Sequence, residues 1–136
     1  MLNETHLQDF AALYTAAWNS GKSETVAAFF APRGTLSVNG APAEGRPAIA
    51  LVAQSFMTAF PDMQLQMDDL AIQGDRAVYY WTFIGTNTGP GGSGHKVRFS
   101  GFEVWTFDKD ALIADSQGQF DIADYRRQLE HGADAP

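Results

Sequence analysis

The apolar residues of this chain recur first with a helical period and then with a strand period. Leu7, Phe10, Ala11, Tyr14, Ala17 and Trp18 fall at three- and four-residue spacings, so residues 4–19 are expected to form an amphipathic helix. Asn3 or Thr5 supplies its N-cap and Gly21 a left-handed stop. A short second helix is expected after Ser23 as its cap, carrying Val26, Phe29 and Phe30 and ended by Pro32. Residues 34–39 read as a short strand, followed by a turn-rich stretch from Gly40 to Gly45. Pro47 suits the first residue of a third helix. In that helix Ile49, Val52, Phe56 and Phe60 share one face, and Pro61 closes it.

Past Asp62 the period shortens to two. Met63, Leu65 and Met67 alternate with Gln64, Gln66 and Asp68, and after Asp68-Asp69 the apolar phase moves to Leu70 and Ile72. That slip predicts a bulge in a half-buried strand. A turn over Gln73–Arg76 leads to strands expected at Ala77–Thr86, Lys96–Phe107 and Ala111–Phe120, joined by the glycine-rich loop 87–95 and the turn Asp108–Asp110. A last helix is expected from Ile122 to His131 with Asp121 as cap, and residues 132–136 are expected to fray. Helices, then an antiparallel meander, then one helix make an α+β fold, read here as one domain over residues 1–136. The helices cover one face of a bent sheet, which then forms a cone around a central cavity. The other face keeps Phe102, Val104 and either Tyr79 or Tyr80, so a homodimer through the sheet is expected.

Composition narrows the function classes. Lys and Arg total 9 against 16 Asp and Glu, a net charge of -7, which repels phosphate backbones and anionic lipids and argues against nucleic acid or membrane as partner. The absence of cysteine excludes disulfides, thiolate metal sites and cysteine nucleophiles. The three His are far apart in the chain and no carboxylate cluster joins them, so neither a metal nor another cofactor is expected. The opening residues lack a basic start and an apolar run, and a cytoplasmic protein is expected. Charged residues make up only 18% of the chain and aromatic residues 12%, so much aromatic surface must line a core or a pocket.

Several stretches resemble a known family. Tyr14-Thr-Ala-Ala-Trp-Asn-Ser-Gly21 and Phe29-Phe-Ala-Pro32 are similar to the helical start of nuclear-transport-factor-2-like proteins. Phe60-Pro-Asp62, Gly74-Asp-Arg76, the run Trp81–Gly89, Phe99-Ser-Gly101 and Arg127-Gln-Leu129 resemble the SnoaL-like (polyketide cyclase or ester cyclase) branch. The resemblance implies a cone fold that hosts isomerases, dehydratases, epoxide hydrolases, cyclases and non-catalytic binders. It also implies an acid/base carboxylate on the last strand. Ser116 and Gly118 stand where such cyclases carry His and Asp, and Glu103 and Trp105 stand where they carry Gln and His. The cyclase chemistry therefore does not transfer residue by residue.

Glu103 is the leading candidate for chemistry. It shares a strand face with Val97, Phe99, Gly101, Trp105 and Phe107, and the resemblance turns that face into the cone. A carboxyl there loses hydration and rises in pKa toward neutral, as carboxyl groups do in ketosteroid isomerase, a fold relative. The alternatives are an ion pair with Arg76 or Arg98, or a bulge that turns Glu103 outward. Tyr14 is the second catalytic candidate, as a phenol donating to a developing oxyanion. Trp18, Phe56, Phe60, Phe99, Trp105 and Phe120 are the candidate aromatic walls, with Ser116 and Gly118 beside them. The Trp105 N–H is a candidate donor to a substrate carbonyl. Asp121 reads as a helix cap, and His95 as an exposed loop residue. The expected function is cofactor-independent acid/base catalysis on a small apolar carbonyl, ester or epoxide compound. The alternative is a binder of small apolar ligands, or a dimeric interaction module, that has lost the cyclase His and Asp.

Overall fold

In the computed structural model, which describes residues 3–134, the first helix α1 (Glu4–Asn19) begins where the Asn3 side chain accepts a 3.1 Å bond from the His6 N–H. That bond satisfies one of the donors a helix start leaves orphaned. Leu7, Ala11, Tyr14, Ala17 and Trp18 form its buried face, and Gly21 adopts φ +74° just past its end. The short α2 (Ser23–Ala27) corrects the expected second helix. Lys22 occupies the cap position without a side-chain bond, and Ser23 is already helical. Phe30 is not helical; it opens strand β1 (Phe30–Val38), where long-range pairing with Ile113 overrides local helix preference.

Strand β1 turns through Asn39 (φ 49°) and Gly40 (φ 85°) into β2 (Ala41–Glu44). Asn-Gly with both φ positive is a two-residue hairpin turn. The 40–45 stretch, expected only as turns, thus contains an edge strand, and Pro42 is tolerated there because an edge leaves one side unpaired. Helix α3 (Arg46–Ala59) follows with Gly45 at its cap and Pro47 in its first turn. Then come β3 (Gln64–Gln73), β4 (Arg76–Thr86), β5 (Lys96–Phe107), β6 (Ile113–Phe120) and α4 (Ile122–His131). The strand order is β2-β1-β6-β5-β4-β3. The expected bulge falls between Met67 and Asp69.

The sheet is a curled, unclosed α+β cone, with one departure from the expected meander: β1 runs parallel to β6, pairing Leu36 with Ser116 and Val38 with Gly118. Helix α1 packs on β3, α3 on β1 and β2, and α4 on β5. The seating of α4 has a specific cause. Strand β6 reaches only as far along β5 as Gly101, so Arg98 lacks a strand on that side. The buried Gln128 amide takes the missing strand's place, accepting from the Arg98 N–H at 2.6 Å and donating to its C=O at 2.9 Å. The tail is also tied down rather than frayed as far as it is described, since the Ala133 N–H bonds to the Lys96 C=O. Residues 135 and 136 lie outside the described part. On the outer face Tyr80 and Phe102 are neighbours across β4 and β5, whereas Tyr79 points inward and is fully buried.

Candidate active site

Alternation along β5 puts Val97, Phe99, Glu103 and Trp105 on the concave face, all buried. Register then decides what meets Glu103. Tyr79 lies opposite it on β4 and Gly118 opposite it on β6. A Cβ at Gly118 would press on the Ser37 carbonyl at 3.1 Å and meet the Glu103 Cγ in ordinary contact at 3.7 Å.

The Glu103 carboxyl is held by three donors from three elements. The Tyr14 hydroxyl of α1 reaches Oε1 at 2.9 Å and Oε2 at 3.2 Å. The Trp105 N–H donates to Oε1 at 3.1 Å, and the Ser116 hydroxyl to Oε1 at 2.7 Å. Oε1 is thus saturated, while Oε2 receives only the longer Tyr14 contact and keeps free acceptor capacity. Among the described residues the ion pairs are Arg127–Asp124 and His131–Glu130, so neither Arg76 nor Arg98 neutralises Glu103. Burial raises the Glu103 pKa above the ordinary carboxylate value, against the opposing pull of the Ser116, Trp105 and Tyr14 bonds. Tyr14 is pushed well above its usual range, first by burial and then by the Glu103 charge, so it stays a phenol. Tyr79 rises for the same two reasons, although its bond with Thr15 works against the shift.

A pocket of about 60 Å³ lies against Glu103, which is among its lining residues, and its surface is nearly all carbon. Of the expected wall residues, Trp18, Phe56, Phe99, Gly118 and Phe120 line it together with Glu103. Tyr14, Trp105 and Ser116 do not. They are fully buried around the carboxyl, and the Trp105 N–H expected to meet a substrate carbonyl is engaged by Glu103 instead. Phe60 also lies elsewhere, packed on Phe83 at 5.1 Å and close above Gly85. Asp121 accepts from the Asp124 N–H as a helix cap, and His95 is exposed.

Five wall residues were not singled out from the sequence: Leu36, Val38, Leu65, Trp81 and Phe83. Trp81 and Phe83 share the alternation of Tyr79 and could have been found from it. Leu36 and Val38 reach the pocket through the parallel β1–β6 pairing, which no local pattern announces. Among the described residues no group of three or more His, Asp or Glu side chains is placed to hold a metal. No described helix is long and apolar enough to cross a membrane.

The family model for SnoaL-like polyketide cyclases matches residues 8–129. The chain belongs to this family. TsrD from Streptomyces laurentii is 24% identical with a TM-score of 0.82, over 95% of this chain and 98% of that one. A protein with a ketosteroid isomerase-like fold from Catenulispora acidiphila, solved in complex with trimethylamine, is 16% identical with a TM-score of 0.78, over 88% and 91%. SalBIII, described as an epoxide hydrolase/cyclase-like enzyme in pyran ring formation of salinomycin, is 20% identical with a TM-score of 0.77, over 91% and 97%. At these identities the likeness concerns the fold. Among curated protein sequences, none matches this chain.

Proposed function

We propose that this SnoaL-like chain binds a small organic molecule in the pocket before Glu103 and moves a proton on it without a cofactor. The observation that carries the reading is a carboxyl at a carbon-walled pocket, gripped by three donors and paired with no cation among the described residues. Donors favour the ionised form and burial opposes it, which poises the group as a base. The substrate class is a small carbonyl, ester or epoxide compound. Glu103 takes a proton from it through Oε2 and returns that proton to the product, as an isomerase or cyclase does. Tyr14, Trp105 and Ser116 are positioning residues that aim the carboxyl. Trp18, Phe56, Phe99 and Phe120 shape the site. Engineered cavities that hold benzene measure about 150 Å³. A ring-sized ligand therefore needs the half-buried Val38, Phe56 and Phe120 to give way.

The test is incubation with a panel of small ketones, esters and epoxides. Wild type is expected to convert at least one, and Glu103→Gln to lose about 10²–10⁴-fold in kcat with its fold intact. Turnover at the wild-type rate in that variant overturns the assignment. Ser116 and Gly118, standing where cyclases carry His and Asp, favour a second reading as a non-catalytic binder. Ligands that bind before Glu103 and are recovered unchanged would select it.

We also propose that two copies pair through the outer sheet face, where Tyr80 is 37% exposed beside Phe102 and Val104. Sedimentation at micromolar concentration is expected to show a dimer, and Tyr80→Lys a monomer. A wild-type monomer contradicts this.

A further inference from the structure

Six aromatic rings line the pocket beside the aliphatic Leu36, Val38 and Leu65, and each ring packs on the next. Trp18 meets Phe56 at 6.2 Å between centroids, Phe56 meets Phe83 at 5.9 Å, and Phe83 meets Phe99 at 5.0 Å. Phe99 meets Phe120 at 5.0 Å, and Phe120 meets Trp81 at 5.9 Å. All six rings line the pocket whose floor is Glu103. The wall therefore combines two features. It presents almost no hydrogen-bonding surface, yet a carboxyl without a cationic partner lies directly behind it.

A neutral ketone or ester gains mainly contact area from such a wall, its one polar prospect being the buried Trp18 indole N–H, which has no partner among the described residues. An anion is repelled by Glu103. A protonated primary amine needs acceptors for three N–H groups, and the free capacity of Oε2 supplies too few. An alkylated ammonium needs none. Its charge is spread over methyl groups that pack against ring faces, and those faces carry the negative end of the aromatic quadrupole. Its positive charge also supplies the counter-ion that the carboxyl lacks, and the attraction is strengthened by the water-poor surroundings.

We propose that the occupant of this pocket carries a compact alkylated ammonium group, held by the aromatic series over the Glu103 carboxylate. The proposal rests on the reading of this pocket as the ligand site, and not on turnover. It narrows the ligand to molecules that bear such a group next to the reacting function, and such a head, like a ring, needs the half-buried Val38, Phe56 and Phe120 to give way. A cation in this position also keeps Glu103 ionised, the form a general base requires.

The experiment compares two probes of equal heavy-atom count, tetramethylammonium chloride and tert-butanol, by NMR titration of the full chain. Tetramethylammonium is expected to bind at least tenfold tighter, with contacts from its methyl protons to the Trp18 and Trp81 indoles. Glu103→Gln, which preserves shape, is expected to bring the two affinities within about twofold while leaving that of tert-butanol unchanged. Phe83→Leu is expected to weaken the ammonium more than the alcohol. Equal or tighter binding of tert-butanol overturns the ammonium proposal and leaves the pocket reading standing. Shifts confined to surface carboxylates, without the indole contacts, overturn it too. If neither probe reaches the pocket, both readings fall.

Discussion

Replacing Glu103 by Gln is expected to make the folded protein more stable near neutral pH and to flatten its pH dependence. The sign follows from proton binding. Burial raises the Glu103 pKa in the native state, whereas in the unfolded chain it lies near 4.3. Between those two values the native state holds more protons than the unfolded state, so stability falls as pH rises. Below the unfolded value both states are protonated and the group contributes no pH dependence. Above the native value the full loss persists. Each unit of native-state elevation corresponds to about 1.4 kcal/mol. The Gln amide has no such titration, and it can still accept from Tyr14, Trp105 or Ser116 through its oxygen. Denaturation of both proteins from pH 4 to pH 8 checks this. The gain of Glu103→Gln over wild type should grow with pH from just above 4.3. A gain that shrinks with rising pH would mean that the donors outweigh burial and that Glu103 is an ordinary, depressed carboxylate. A residue that weakens the fold where ligands bind is expected of a site kept for function.

Trp105 is expected to be the most damaging truncation in the chain. It is fully buried, stacked on Tyr79 at 4.8 Å and 18°, and edge-on to Tyr14 at 5.1 Å and Phe10 at 5.5 Å. Trp105→Ala should cost about 3–5 kcal/mol from lost burial and the cavity left behind. In a domain of this size that lowers Tm by roughly 10 °C or more. Trp105→Phe separates the two roles, since it keeps an aromatic ring and removes the N–H. It should cost about 1.5–3 kcal/mol while Glu103 is ionised and less once it is protonated, because hydrogen bonds to a charged group are the stronger ones. It should also raise the Glu103 pKa further, by removing one of the bonds that hold it down. The two substitutions touch one hydrogen bond, so Trp105→Phe in the Glu103→Gln background should cost less than in wild type. Strict additivity would show that the indole serves packing alone.

Much of the site was legible because alternation is local. Six positions of β5 two residues apart place Glu103 among apolar neighbours on the buried face, and the phase slip at Asp68 marks the bulge that curls the sheet. The start and stop of α1 and α4 are written in their caps. What escaped depends on partners distant in sequence. Phe30 belongs to a strand because Ile113 pairs with it, not because its neighbours favour a strand. The Asn39-Gly40 hairpin carried a local signal that the surrounding Pro and Gly obscured. The two indoles show the same limit at atomic scale. Trp105 shares a strand face with Glu103 and is turned onto it, whereas Trp18, from a helix, forms pocket wall. Periodicity reports which face a side chain occupies, and the tertiary arrangement decides which atom it meets.

Whether Glu103 is a desolvated acid beside the pocket is read by a carbon-13 NMR titration of its carboxyl in the free protein, assigned with Glu103→Gln. The expected midpoint lies above about 4.3, the value of an unperturbed glutamate. A midpoint at or below that value would contradict desolvation, and with it the assignment of Glu103 as the base of this SnoaL-like site.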